Sequence, residues 1–258
     1  MMVIRVFLKK EIMEIIKTNK IYIIFLLFLF FGLSSPILTK MMPEILSQIA
    51  GDFQILLPEQ TWIDSFNQFF KNLNQIVLIA VIIVFMGSVV GEVERGTALL
   101  VLAKSSSRAS FIIAKFLAAV VILIISLLIA YAGCLLYTTI LFPDVSFALS
   151  LQATLLFLIF SIYILSVTIG ISAIVKSQIV AGVVTLGIYF ISSMLSLFNN
   201  RLGYYSPGRL LKYQSEILNG TVGLSDAFLT SAVTIIISLA FLFLGIAIFN
   251  KREFYSNN

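Results

Sequence analysis

The chain has 258 residues, 60% of them hydrophobic and 11% charged, with a net charge of +5 and a mean hydropathy of +1.09. Soluble domains carry roughly 25% charged residues, so this composition excludes a water-soluble globule and makes the lipid bilayer the solvent. Excess positive charge can point to nucleic acid, but basic residues flanking membrane spans set orientation, and their placement here accounts for the excess with no nucleic-acid partner.

Residues 3–20 place Ile4, Phe7, Leu8, Ile12, Ile15 and Ile16 at helical spacing, with Arg5, Lys9, Lys10 and Lys17 on other faces. The pattern predicts a basic amphipathic helix in the inner interface; a frayed extension of the first span would carry the same pattern. A helix needs about 20 mainly apolar residues to cross the hydrocarbon core. Six windows qualify, at about 21–39, 73–90, 111–140, 151–175, 178–198 and 227–249. Lipid admits only helices and closed barrels, and these continuous runs lack the alternation of barrel strands. The run from Ile21 is too long for a signal-peptide core and is followed by LSSPILTK rather than small residues, so it reads as a retained span.

Between the first two windows, Met41 to Phe53 is expected to form a short helix. Thr61 with Asp64 then resembles a capping box. Trp62, Phe66, Phe69, Phe70 and Leu73 follow at helical spacing, predicting an outer-surface helix whose aromatics anchor in the membrane interface. Cys134 stands alone in the third window, which excludes an intrachain disulfide and suits a packing residue. The turn Lys176-Ser177-Gln178 is so short that spans four and five must be antiparallel neighbours. Segment 199–225 is punctuated by Gly203, Pro207, Gly208, Gly220 and Gly223. Its Leu210, Leu211, Tyr213, Ile217 and Leu218 could dip into the outer leaflet as one or two short helices, or form a hairpin that only closes the bundle.

The topology with both termini in the cytoplasm puts twelve of the seventeen basic residues inside, leaving Lys40, Lys71, Arg201, Arg209 and Lys212 outside. The fold expected is therefore all-α: an interfacial helix over 1–20, a six-helix domain over 21–250 and a cytoplasmic tail over 251–258. A multi-pass protein of the cell membrane is expected.

One polar stretch interrupts the apolar pattern: GEVERGTALLVLAKSSSRASFIIAK, Gly91 to Lys115. Its Glu92 and Glu94, Gly96 and Thr97, Leu99 and Leu100, Ser107 and Arg108, and Lys115 opening the next span resemble, in order and spacing, the first cytoplasmic loop of the type-2 permease family of ATP-binding-cassette transporters. Ser105 stands where family members often carry a proline. The resemblance implies a coupling helix that docks on a separate ATPase subunit, and a dimer with a second copy or a homologous permease. ATP and Mg would be held by the ATPase, with no cofactor on this chain. The coupling residues would be Glu92, Glu94, Arg95, Gly96, Thr97, Leu99, Leu100 and Arg108. Folded as a short helix, the loop would set Leu99, Leu100 and Leu102 into a groove, ringed by Glu92, Glu94, Lys104 and Arg108; the same charges could simply solvate a turn. The family architecture further implies that spans two and five line the conduit, with Ser88, Thr185, Ser192, Ser193 and Ser196 as its polar points, and that the short helices before span six form an outer lid.

The chemistry lacking in the sequence fits this reading. With no histidine, histidine-dependent zinc sites and Ser-His hydrolases are excluded, and no catalytic or metal-ligating set is visible. GISAIVKS, Gly170 to Ser177, approaches a phosphate loop but has Val175 where the second glycine belongs. No acidic or basic residue lies near the middle of a span, as proton- or ion-coupled transport commonly requires. A conduit without its own energy source implies an external motor. Mostly apolar walls suit an exporter of amphipathic or hydrophobic cargo, such as an antimicrobial peptide or a lipid. The alternative is a receptor or immunity protein that binds a peptide through loops 40–72 and 199–225 and transports nothing.

Overall fold

The computed structural model describes residues 2–50, 59–98, 107–198 and 200–251, and among them every regular element is helical. Helix α1 (Met2–Lys17) meets α2 (Lys20–Ala50) at an elbow where Asn19 adopts φ 59°. Asparagine tolerates this left-handed region because its short polar side chain can bond locally. There α1 stops, lying against the bundle with Ile15 buried and Leu8 and Ile12 packed on the core.

Span one is longer than expected. The separate helix anticipated from Met41 does not form; α2 continues through Pro36 and Pro43 to Ala50. Membrane helices tolerate internal prolines, and beside Pro36 the Ser35 Oγ donates to Phe31 O at 2.6 Å while accepting from Asn72 Nδ2 at 3.0 Å.

Span two is assembled from α3 (Trp62–Asn72), a π-helical turn (Leu73–Val77) and α4 (Leu78–Phe85), then breaks before the short α5 (Val90–Glu94). The start of α3 follows the capping reading, since the Asp64 carboxylate accepts from Thr61 N at 2.9 Å and from its hydroxyl at 2.8 Å. The interfacial role read for its aromatics is corrected at the three phenylalanines, while Trp62 is half-buried. Phe66, Phe69 and Phe70 are buried in the bundle, where Phe66 meets Tyr131 and Phe70 meets Phe157 with ring centroids 6.2 and 6.3 Å apart. Aromatic spacing alone does not distinguish a face turned to headgroups from one turned to other helices.

The remaining spans are α6 (Arg108–Leu141), α7 (Phe147–Ile174), α8 (Gln178–Leu195) and α11 (Leu224–Lys251), with α9 (Arg201–Tyr205) and α10 (Arg209–Leu218) between the last two. Among the described residues there are thus six helices long and apolar enough to cross a membrane, and the chain is an all-α polytopic membrane protein. Its basal end carries α1, α5, the α7–α8 turn and the end of α11; its distal end carries α3, α9 and α10. Span four, α7, is the hub, mostly buried and packed by α6, α8, α10 and α11. Lipid tails are as apolar as leucine, so close approach and polar contacts must hold membrane helices together. Where α7 crosses α11, a Cβ added to Gly170 would lie 2.6 Å from Phe241 O. Hydroxyl contacts join other spans: Tyr131 to Ser150 at 3.0 Å, Ser65 to Thr138 at 2.8 Å, and Tyr163 to Ser192 at 2.9 Å.

At the distal end, α10 buries Leu210, Tyr213, Gln214, Ile217 and Leu218. The π turn releases the backbone carbonyl of Asn74, which accepts from Tyr189 Oη at 2.7 Å, while the Asn74 amide donates to Gln214 Oε1 at 3.1 Å. One local irregularity thereby ties span two to span five and to the α10 helix.

Candidate coupling site

The described part of the polar loop, 91–98, sits at the basal end. The helix of span two ends at Phe85, and α5 restarts at Val90 after a four-residue turn. Glu92 points inward. It is 3% exposed and its Oε1 accepts from Lys115 Nζ of α6 and, at 3.4 Å, from Lys10 Nζ of α1. Lys115, also buried, donates to Glu11 Oε2 of α1 at 2.8 Å. Lys10 completes the network with Glu11 and Glu14, each at 3.1 Å. Three elements distant in sequence are therefore joined through one buried ammonium. Removing a single member of such a set leaves an uncompensated charge in a low-dielectric setting.

Carboxylate oxygens of Glu11, Glu14 and Glu92 lie within 4.8 Å of one another, a spacing that a cation could bridge. Lys115 and Lys10 already supply positive charge there, so the cluster reads as an internal ion-pair network. The electrostatics of α1 follow. Burial alone would lower the Lys10 ammonium, but Glu11, Glu92 and Glu14 outweigh it and hold the group above its ordinary value. Burial would likewise raise the Glu14 carboxyl, yet Lys115, Lys10 and Lys20 bring it below the usual 4.5.

Glu94 faces the other side of α5, where its Oε2 accepts from Gln178 Nε2 at 2.8 Å. Gln178 opens span five and lies across Gly87 and Gly91, at which an added Cβ would come within 2.4 and 3.1 Å of its amide group. Arg95 is exposed, Gly96 turns the chain at φ 71°, and Thr97 Oγ1 donates back to Glu92 O at 3.2 Å. Arg108 begins α6 and donates to the carbonyls of Phe249 at 3.3 Å and Asn250 at 3.0 Å. Cationic donors suit the free carbonyls at a helix C-terminus.

The charged ring read for the loop is therefore corrected at Glu92, which is an interior anchor. Arg108 bonds to the end of span six, and Glu94 to Gln178. Leu99, Leu100, Leu102 and Lys104 lie outside the described residues. Along the expected conduit, Thr185 and Ser192 are buried inside the bundle, Thr185 bonded to Ala181 O at 2.8 Å and Ser192 to Tyr163. Ser196 is also buried, whereas Ser88 and Ser193 are half-buried and donate to their own helices. The exposed face of span five is apolar instead, formed by Ile179, Val183, Phe190, Ile191 and Met194.

Five contributors escaped the candidate set: Lys115, Lys10, Glu11, Glu14 and Gln178. Lys115 lies one turn inside the apolar window from 111, and an ionisable side chain within a span demands a partner; that was its signal. Glu11 and Glu14 had none beyond being acids on a mainly basic helix.

A family model described as "ABC-2 family transporter protein" matches residues 5–254. The chain is also similar to the uncharacterized transmembrane protein YxlG of Bacillus subtilis (strain 168). The two are 26% identical over 226 residues, covering 84% of this chain and 86% of that protein.

Proposed function

Because the chain belongs to the ABC-2 family of transporter proteins, we propose that it is the membrane-spanning permease subunit of an ATP-binding-cassette exporter. Its ATP and Mg are held by separate ATPase subunits, and a second copy or a homologous permease completes the conduit. The basal end and both termini face the cytoplasm of the cell, where the basic residues concentrate. The loop from Gly91 to Arg108 receives the ATPase, through Leu99 and Leu100 with Glu94 and Arg95 at the rim. Amphipathic or hydrophobic cargo, an antimicrobial peptide or a lipid, suits the apolar exposed face of span five.

The observation that carries this reading is that α5 is anchored on both sides. Glu92 is tied to α1 and α6, and Glu94 is tied to the first residue of span five. A segment that only had to solvate a turn would need no buried ion pairs across three elements. The test is co-purification of the protein with ATP-binding subunits of its own cell, comparing wild type with Glu94→Arg and with Leu99→Asp/Leu100→Asp. Association with wild type and its loss from well-folded variants is the expected result. If no ATPase associates under any mild solubilisation, the exporter reading fails and a non-transporting peptide receptor takes its place.

A further inference from the structure

The helix break between α4 and α5 should be a weak point, because it leaves carbonyls at the end of one helix and N–H groups at the start of the next without partners. A residue from another span fills it. Ser172, near the basal end of span four, donates its hydroxyl to Met86 O at 2.7 Å and accepts from Val89 N and Val90 N, both at 3.2 Å. A serine hydroxyl has one donor and two acceptor positions, and all three are used on this single break. Ser172 is fully buried and lies two residues from Gly170, where span four crosses span six.

Six residues further along the chain, Gln178 grips the same segment from its other side. Its side chain rests on Gly87 and Gly91, which have no Cβ to exclude it, and its amide donates to Glu94. The segment 86–94 is thereby held between the end of span four and the start of span five, with the turn 175–177 joining the two holds. Motion carried only along the chain would have to pass through the non-helical turn 86–89. Motion carried by these contacts reaches spans four and five directly.

We propose that Ser172 and Gln178 are positioning residues that transmit displacement of the 86–94 segment to spans four and five. This rests on the coupling reading given above. Neither side chain docks the ATPase in this proposal: Ser172 is buried, and Gln178 acts on Glu94 from the bundle side. Their substitution should therefore uncouple the spans while leaving the ATPase bound.

The experiment uses the full chain with its co-purified ATPase in lipid nanodiscs. A nitroxide is placed at Leu197→Cys, an exposed position beyond the distal end of span five, in a Cys134→Ala background. Its spectrum is compared before and after trapping with ATP and vanadate. Wild type should show a spectral change on trapping. Ser172→Ala and Gln178→Glu should lose that change while retaining the wild-type amount of bound ATPase and trapped nucleotide. Gln178→Glu sets two carboxylates against each other, whereas Ser172→Thr, which keeps the hydroxyl, should keep the spectral change.

Retention of bound ATPase and trapped nucleotide, together with the response of Ser172→Thr, separates transmission from misfolding. The proposal is overturned if both single variants respond as wild type does, if the wild-type probe does not respond, or if the variants lose the ATPase together with the response. In the first two results the ATPase remains bound and the coupling reading stands. Should wild type bring down no ATPase, both readings fall together.

Discussion

Lys115 shows how one side chain can organise an end of the molecule. It is 5% exposed and shared between Glu11 and Glu92, so Lys115→Met leaves two buried carboxylates with only the half-exposed Lys10 as counter-charge. Such a break is expected to cost about 3–5 kcal/mol, measurable as a lowered unfolding midpoint in detergent. Combining Lys115→Met with Glu11→Leu and Glu92→Leu should recover much of the loss, because a matched apolar replacement leaves no stranded charge. A triple variant no more stable than the single one would show that the network is not the source of the effect. The same cluster sets a pH dependence. Glu14 is held below its ordinary 4.5, so its contribution is complete above that value and is lost as pH falls through the depressed one. Lys10, held above its ordinary 10.5, contributes fully below that value and fails only in strong alkali. Helix α1 should stay seated across the neutral range and loosen in acid, which hydrogen exchange of residues 8–17 at pH 7 and below pH 4 would read. Protection unchanged down to that pH would contradict this account of Glu14.

Between elements, the decisive contacts are close crossings. Span four meets span six at Gly170 and Gly245, whose backbones leave no room for a Cβ. Gly170→Leu should therefore push the two helices apart, at the upper end of the roughly 1–3 kcal/mol typical of overpacking or beyond it. Gly187, in the middle of span five, has nothing within 4 Å of an added Cβ. Gly187→Ala should be neutral or stabilise the helix by up to about 1 kcal/mol. Reversible unfolding of both variants in mixed micelles tests the contrast, and equal effects would refute the packing account. The two glycines are indistinguishable as letters in apolar runs; only the position of the neighbouring helix separates them. Gly182 lets span five approach Met86 closely.

For the whole molecule, the parity of six spans puts α1, α5, the α7–α8 turn and the end of α11 at one end. If that end is cytoplasmic, cysteines replacing Arg95 or Lys176 should react with a membrane-impermeant maleimide only in inside-out vesicles. Cysteines replacing Thr61 or Lys212 should react in intact cells. The opposite pattern would invert the orientation and remove the coupling loop from the ATPase.

Membrane residence, helical class and the number of spans were legible in the sequence, because they depend on run length and on the absence of water to bond a bare backbone. Those constraints act along the chain and need no knowledge of neighbours. The loop could also be recognised from the order of its residues, since its polarity stands out against apolar flanks. The direction each of its side chains takes was decided only by tertiary structure. Glu92 and Glu94 are two residues apart and chemically alike, yet one enters a buried ion-pair network while the other meets Gln178. Likewise Phe66 and Phe69 fit a headgroup interface as well as a helix-packed core until α6 and α7 are placed against them. Thr185 and Ser192 were expected as polar points of the conduit, whereas both are buried and bonded within the bundle. A buried hydroxyl or carboxylate must find its partner wherever packing brings one, and that partner comes from a helix whose position the local sequence does not encode.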